Sequence, residues 1–125
     1  MAKDHSPEFA ALVEAAKQGV REITVDEVLA RKQANDAFTL VDVREDGEWA
    51  AGHATGAIHL GRGVIERDIV KAIPDKAAPL VLYCGGGFRS ALAAESIQKM
   101  GYKQVRSMAG GWSEWIARGG PTTKP

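Results

Sequence analysis

Cys84 is the single cysteine of the chain, and it stands between an apolar run, Pro79-Leu80-Val81-Leu82-Tyr83, and the stretch Gly85-Gly86-Gly87-Phe88-Arg89-Ser90. The glycines permit backbone angles that residues with a Cβ disfavour, so successive N–H groups can turn inward as a concave cradle for an anion. A helical pattern follows, and a helix opening near Arg89 or Ser90 adds its free N–H groups and positive dipole end to the same place. A sulfur held there is favoured as thiolate, the nucleophilic form. Arg89 contributes a planar fork of donors suited to an oxyanion, which a lysine would not reproduce. The spacing therefore nominates Cys84 as a nucleophile, with Gly85, Gly86, Gly87, Phe88, Arg89 and Ser90 as its substrate-binding loop. A packing cysteine at a strand end would need neither the glycines nor the arginine.

The rest of the chain must position that loop. At 125 residues, 45% hydrophobic and 26% charged, it has the makeup of one globular domain with a single core. Sixteen Lys plus Arg balance sixteen Asp plus Glu, so no electrostatic signature points to nucleic acid or an anionic membrane. A lone cysteine forms no internal disulfide, and no secretory or long apolar segment stands near the N-terminus; a reducing cytoplasm is the expected compartment.

Ser6-Pro7-Glu8 reads as a capped helix start, with Phe9, Leu12, Val13 and Ala16 as one apolar face and Gly19 as its close. Thr24-Val25-Asp26-Glu27 is a capping box opening a helix to about Gln33. Phe38 to Val43 reads as a strand, Glu45 to Ala51 as a short helix stopped by Gly52, and Ala57 to Leu60 as a short strand. A helix from Val64 to Ala72 ends before Pro74. Pro79 to Tyr83 is the apolar strand expected in the middle of a parallel sheet, followed by a helix through Met100 with Gly101 as its cap. Gln104 to Met108 is one more strand, and Gly110-Gly111-Trp112 leads into a last helix. Such alternation argues for an α/β domain with a mainly parallel sheet, in which ligands sit beyond the carboxyl ends of strands, where Cys84 falls.

Taken together, Leu40-Val41-Asp42-Val43-Arg44-Glu45, Glu48-Trp49-Ala50-Ala51-Gly52-His53, Gly56 to Leu60, the Cys84 loop and Gly110-Gly111-Trp112 with Trp115 resemble a single-domain rhodanese over about residues 20–120. The resemblance implies a three-layer fold, a central parallel sheet flanked by helices; residues 1–19, outside it, are expected as a helical extension packed on the domain and 121–125 as a C-terminal tail. It implies a sulfurtransferase in which Cys84 takes a sulfane sulfur from thiosulfate or a persulfide, carries it as a persulfide, and passes it to cyanide or a thiol. No metal or organic cofactor is expected, and the partners are those small donors and acceptors or a protein persulfide. Six residues from Cys84 to Arg89 match the sulfurtransferase loop. The rhodanese-fold phosphatases and arsenate reductases have one more, and they remain the alternative together with a sulfur-carrier or regulatory module. Mercaptopyruvate enzymes are similar at Cys84-Gly85 but end the loop in threonine. Tandem-domain thiosulfate enzymes place basic residues where this chain has Gly86 and Glu48, so glutathione persulfide or a partner's persulfide is an alternative donor.

Asp42 and Arg44 are expected to pair and tie the strand end to a neighbouring loop, supporting the site from behind, since buried charges persist as pairs. Arg62, after a strand, faces either the rim of the site or solvent. His53 is expected as a structural hydrogen-bonding residue. Trp112 and Trp115, three apart, are expected to cover the core with one helix face.

Overall fold

The computed structural model describes residues 5–125. Its elements in chain order are α1 (Pro7–Lys17), β1 (Arg21–Ile23), α2 (Val25–Gln33), β2 (Thr39–Asp42), α3 (Asp46–Ala51), β3 (His53–Ala54), β4 (Ile58–His59), α4 (Ile65–Ala72), β5 (Leu80–Tyr83), α5 (Phe88–Gln98), β6 (Val105–Met108), α6 (Gly111–Ala117) and β7 (Thr122–Thr123). Five strands form one sheet in the order β1-β6-β5-β2-β4, and every neighbouring pair is parallel. β5 sits at its centre. A separate two-stranded antiparallel ribbon joins β3 to β7, so His53 pairs with Thr123 and Ala54 with Thr122. Pro121 to Thr123 thus lie against the segment after α3.

Helices cover both faces, giving three layers. On one face Val41, Val43, Leu80 and Leu82 pack against Ile65 and Ile69 of α4 and Ala93, Ala94 and Ile97 of α5. On the other, Ile23, Leu40, Val81, Tyr83 and Met108 meet Val25 and Val28 of α2 and Trp115 of α6. Each fully buried Leu, Ile or Val is worth roughly 1.5–3 kcal/mol of transfer free energy, which outweighs the weak intrinsic preferences of four-residue strands. Strand alternation divides β5 between the layers: Leu80 and Leu82 face α5, and Cys84 continues that series into the same cluster. Val81 and Tyr83 face the other way.

Local signals explain the helix starts. Thr24 accepts from the Glu27 amide at 3.1 Å while the Glu27 carboxylate accepts from the Thr24 amide at 3.1 Å, a closed capping box. Ser6 accepts from the Phe9 amide at 3.0 Å ahead of Pro7. α1 packs on α5 through Val13 and Ala16, whereas Leu12, expected on the same apolar face, is 57% exposed. The reason is geometric: a single helix neighbour covers only a narrow stripe, and Leu12 falls outside it. Of the 1–19 extension, residues 1–4 lie outside the described residues.

Candidate active site

Because β5 ends at the sheet's centre, the next residue is carried to its carboxyl edge, and there Cys84 is 1% exposed. The chain then turns through Gly85 and Gly86 into Gly87, whose φ of +97° is left-handed, and α5 begins at Phe88, slightly earlier than expected from Arg89 or Ser90. This turn aims the Gly87 amide at the Cys84 Sγ at 3.1 Å and the Ser90 amide at the same sulfur at 3.3 Å. Both lie at the opening of α5, whose first-turn N–H groups have no helical partner. The Ser90 Oγ stands 3.6 Å from the sulfur and 2.8 Å from the Ser107 Oγ, and both serines are wholly buried. With the sulfur as thiolate, the Ser90 hydroxyl can donate to it while accepting from Ser107.

α6 fixes the loop from the other side. The Trp112 amide donates to the Cys84 carbonyl at 2.7 Å and the Ser113 amide to the Gly85 carbonyl at 3.1 Å. Both carbonyls are thereby drawn into the α6 N-terminus and kept out of the N–H cradle around sulfur. The approach requires Gly111: a Cβ there would stand 2.3 Å from the Cys84 carbonyl oxygen, at a φ of +53°. Gly111 carried no separate role in the sequence; only the Gly110-Gly111-Trp112 triplet pointed to it.

Arg89 has a partner that sequence reasoning did not foresee. Its Nη1 and Nη2 donate to the two carboxylate oxygens of Glu48 at 2.7 and 3.2 Å, across 41 residues of chain. The fork expected to receive an oxyanion is therefore engaged by α3. Hydrogen bonds from Arg89 hold the Glu48 carboxyl at about 2, down from 4.5. The pKa of Arg89 is raised, through Glu48 first and also through the nearby Cys84 sulfur. Phe88, half-buried, turns its ring to α1, where it stacks on Phe9 with centroids 5.9 Å apart and meets His5 at 4.3 Å.

Asp42 and Arg44 lie on the sheet face opposite Cys84, because Asp42 is in direct register with Tyr83. The Arg44 Nε and Nη2 donate to Asp42 at 3.0 and 2.8 Å, the Tyr83 hydroxyl donates to Asp42 at 2.5 Å, and the Arg44 Nη2 also donates to the Gly52 carbonyl at 2.6 Å. Burial opposes the charge of Arg44, but the hydrogen bonds and charge of Asp42 outweigh it and its pKa is raised. Burial, then the bond to Asp42, push the Tyr83 hydroxyl above its ordinary value. The Ala54 amide donates back to Tyr83, and the Arg44 guanidinium rests over the Trp112 ring at 4.5 Å. This network joins β2, β5, the end of α3, β3 and α6 on the sheet face opposite Cys84. Trp115 is buried, as a core-covering residue must be, while Trp112 is only half-buried and serves as the surface under Arg44.

His53 stacks face to face on Trp49 with centroids 3.4 Å apart, and its Nδ1 lies 3.3 Å from the Trp49 carbonyl. His59 also stacks on Trp49 and donates from Nε2 to the Arg44 carbonyl at 2.8 Å. Arg62 is placed apart from the loop's own hydrogen bonds: its amide donates to Val43 at 2.9 Å and its guanidinium pairs with Glu66 at 3.5 Å. Among the described residues, no group of three or more His, Cys, Asp or Glu side chains is gathered as a metal site.

The site is thus a cysteine held by backbone amides at the carboxyl edge of a doubly covered parallel sheet. The Rhodanese-like domain family matches residues 24–118, and the chain belongs to that family. It is similar to thiosulfate sulfurtransferase GlpE of Coxiella burnetii, 32% identical over 80 residues, 64% of this chain and 73% of that one. YrkF of Bacillus subtilis is 24% identical over 115 residues, 92% of this chain, and the chain spans 57% of YrkF's length. Among solved structures, a Rhodopseudomonas palustris protein of unknown function described as a possible tyrosine phosphatase superimposes with a TM-score of 0.81. It is 28% identical, with 98% of this chain and 99% of that one covered.

Proposed function

We propose that the protein is a sulfurtransferase working through a persulfide on Cys84. The observation that carries the reading is the sulfur itself, at a strand terminus with the Gly87 and Ser90 amides directed at it. In the first half-reaction the thiolate attacks the outer, sulfane sulfur of thiosulfate or a persulfide. A new S–S bond forms, the donor's S–S bond breaks, and sulfite or a thiolate leaves with the electron pair. In the second, cyanide or a thiolate attacks the outer sulfur, the Cys84 thiolate departs, and thiocyanate or a new persulfide is released. Amide donors already in place stabilise negative charge on sulfur in both halves without reorganising.

Two further features support this over phosphate ester hydrolysis. The sulfur is almost fully covered, which suits attack on a one-atom sulfane terminus better than on a phosphorus centre carrying several oxygens. The loop has six residues from Cys84 to Arg89, the length that goes with sulfurtransferases, where the rhodanese-fold phosphatases have one more. Cys84→Ser tests the reading: the variant is expected to fold, by circular dichroism, and to lose transfer from thiosulfate or glutathione persulfide to cyanide. Retained transfer in the folded variant would overturn it.

A further inference from the structure

At the opposite end of the sheet from Cys84, the amino ends of β1, β5 and β6 and the last turn of α2 line a small cleft of about 80 Å³ that opens to solvent. Arg21, Arg31, Lys103 and Arg106 line it, together with Phe38 and Gln104. Among the described residues, none of these four cations lies within ion-pair distance of a carboxylate, although the chain as a whole carries as many acids as bases. The carboxylate that senses Arg31 and Arg106, Glu27, is already committed to the capping box with Thr24.

The register sharpens the point. Arg21 and Arg106 are direct partners on neighbouring parallel strands. Adjacent strands lie about 4.8 Å apart, so the two side chains run side by side, a like-charge pairing that costs stability. Folding energy alone selects against such a pair, and against adding Arg31 and Lys103 to the same cleft. An anion between them reverses the sign of the interaction, and guanidinium forks match the oxygens of phosphate groups. We propose that this cleft is a binding site for a small molecule bearing a diphosphate group, held by Arg21, Arg31 and Arg106 with Lys103 at the rim. Phe38 offers an apolar wall for a ring carried by such a molecule. The distance along β5 from this end to Cys84 is about 13 Å, so the site is separate from the catalytic loop.

The test uses the full chain with inorganic pyrophosphate and with ADP, each against sodium chloride at matched ionic strength. Binding is read by thermal melting and by amide chemical shifts. Pyrophosphate is expected to bind saturably, to shift the amides of residues 21, 31, 103 and 106, and to raise the melting temperature more than chloride does. Arg106→Gln and Arg21→Gln are each expected to weaken that binding by at least about tenfold. Without ligand, both are expected to melt no lower than the parent at low salt, because each relieves the like-charge pair; together they keep the test decisive should one fail to fold. ADP binding tighter than pyrophosphate, with the gain lost in Phe38→Leu, assigns the site to a nucleoside diphosphate; equal binding assigns it to the free anion. Equal effects of pyrophosphate and chloride, or unimpaired binding by both folded arginine variants, would overturn the proposal.

Discussion

Gly111→Ala isolates the contact by which α6 positions the loop. The added Cβ would sit 2.3 Å from the Cys84 carbonyl oxygen and 2.9 Å from the Gly85 carbonyl carbon and oxygen, where ordinary contacts begin at 3.4 Å. All three atoms are backbone, so no side chain can swing aside. Relief demands a displacement of about 1 Å between α6 and Cys84, and under the proposed mechanism a misplacement of that size costs on the order of 10²-fold in rate. Alanine at the left-handed φ of +53° adds about 1–2 kcal/mol of backbone strain, a fall in Tm of roughly 4–8 °C for a chain of this size. The assay is sulfur transfer from thiosulfate to cyanide at a temperature where the melting curve shows the variant folded. Gly63→Ala, with nothing within 4 Å of its Cβ, is the control and is expected to change neither rate nor Tm. A folded Gly111→Ala variant that transfers sulfur at the parent rate would refute the reasoning, because the bond from α6 to the Cys84 carbonyl would then position nothing.

Two other perturbations have outcomes set by the same geometry. Asp42→Asn leaves the buried Arg44 without its anion and is expected to cost about 3–5 kcal/mol, read as a lower urea midpoint at unchanged m-value; a loss below about 1 kcal/mol would contradict the network's role. Glu48→Gln removes a carboxyl whose pKa falls from 4.5 to about 2 on folding, so the stabilisation is complete above 4.5 and disappears as pH falls toward about 2. With side chains 26% and 35% exposed, the Arg89–Glu48 pair is worth at most about 1 kcal/mol at pH 7. Denaturant curves of parent and variant are expected to converge on acidification, and a gap independent of pH would contradict the charge pairing.

The parts of this fold readable in the sequence are those encoded by neighbours in the chain. Thr24 and Glu27 close their own capping box, Pro79 to Tyr83 is apolar enough to demand burial on both faces, and the Gly-rich stretch after Cys84 announces the turn into α5. The parts that escaped depend on distant partners. β1 is three residues, Arg21–Ile23, with only Ile23 buried, and β3 and β7 are two residues each, too short to show any period. The occupation of Arg89 by Glu48 could not be read from either residue, since 41 positions separate them and only the packing of α3 beside the loop brings them together. The pairing of Asp42 with Arg44 was legible because two residues in alternation point to one face, but Tyr83 as the third member required the β2–β5 register.

The central claim, that Cys84 carries the transferred sulfur, is tested most directly by intact-mass spectrometry of the protein after incubation with thiosulfate and, separately, with glutathione persulfide. The account predicts a gain of one sulfur atom with at least one of the two donors, mapped to Cys84 by peptide fragmentation, removed by cyanide with return of the original mass, and absent from Cys84→Ser. A protein that turns over donor and acceptor while Cys84 never gains sulfur, or that stays unmodified with both donors, would contradict it.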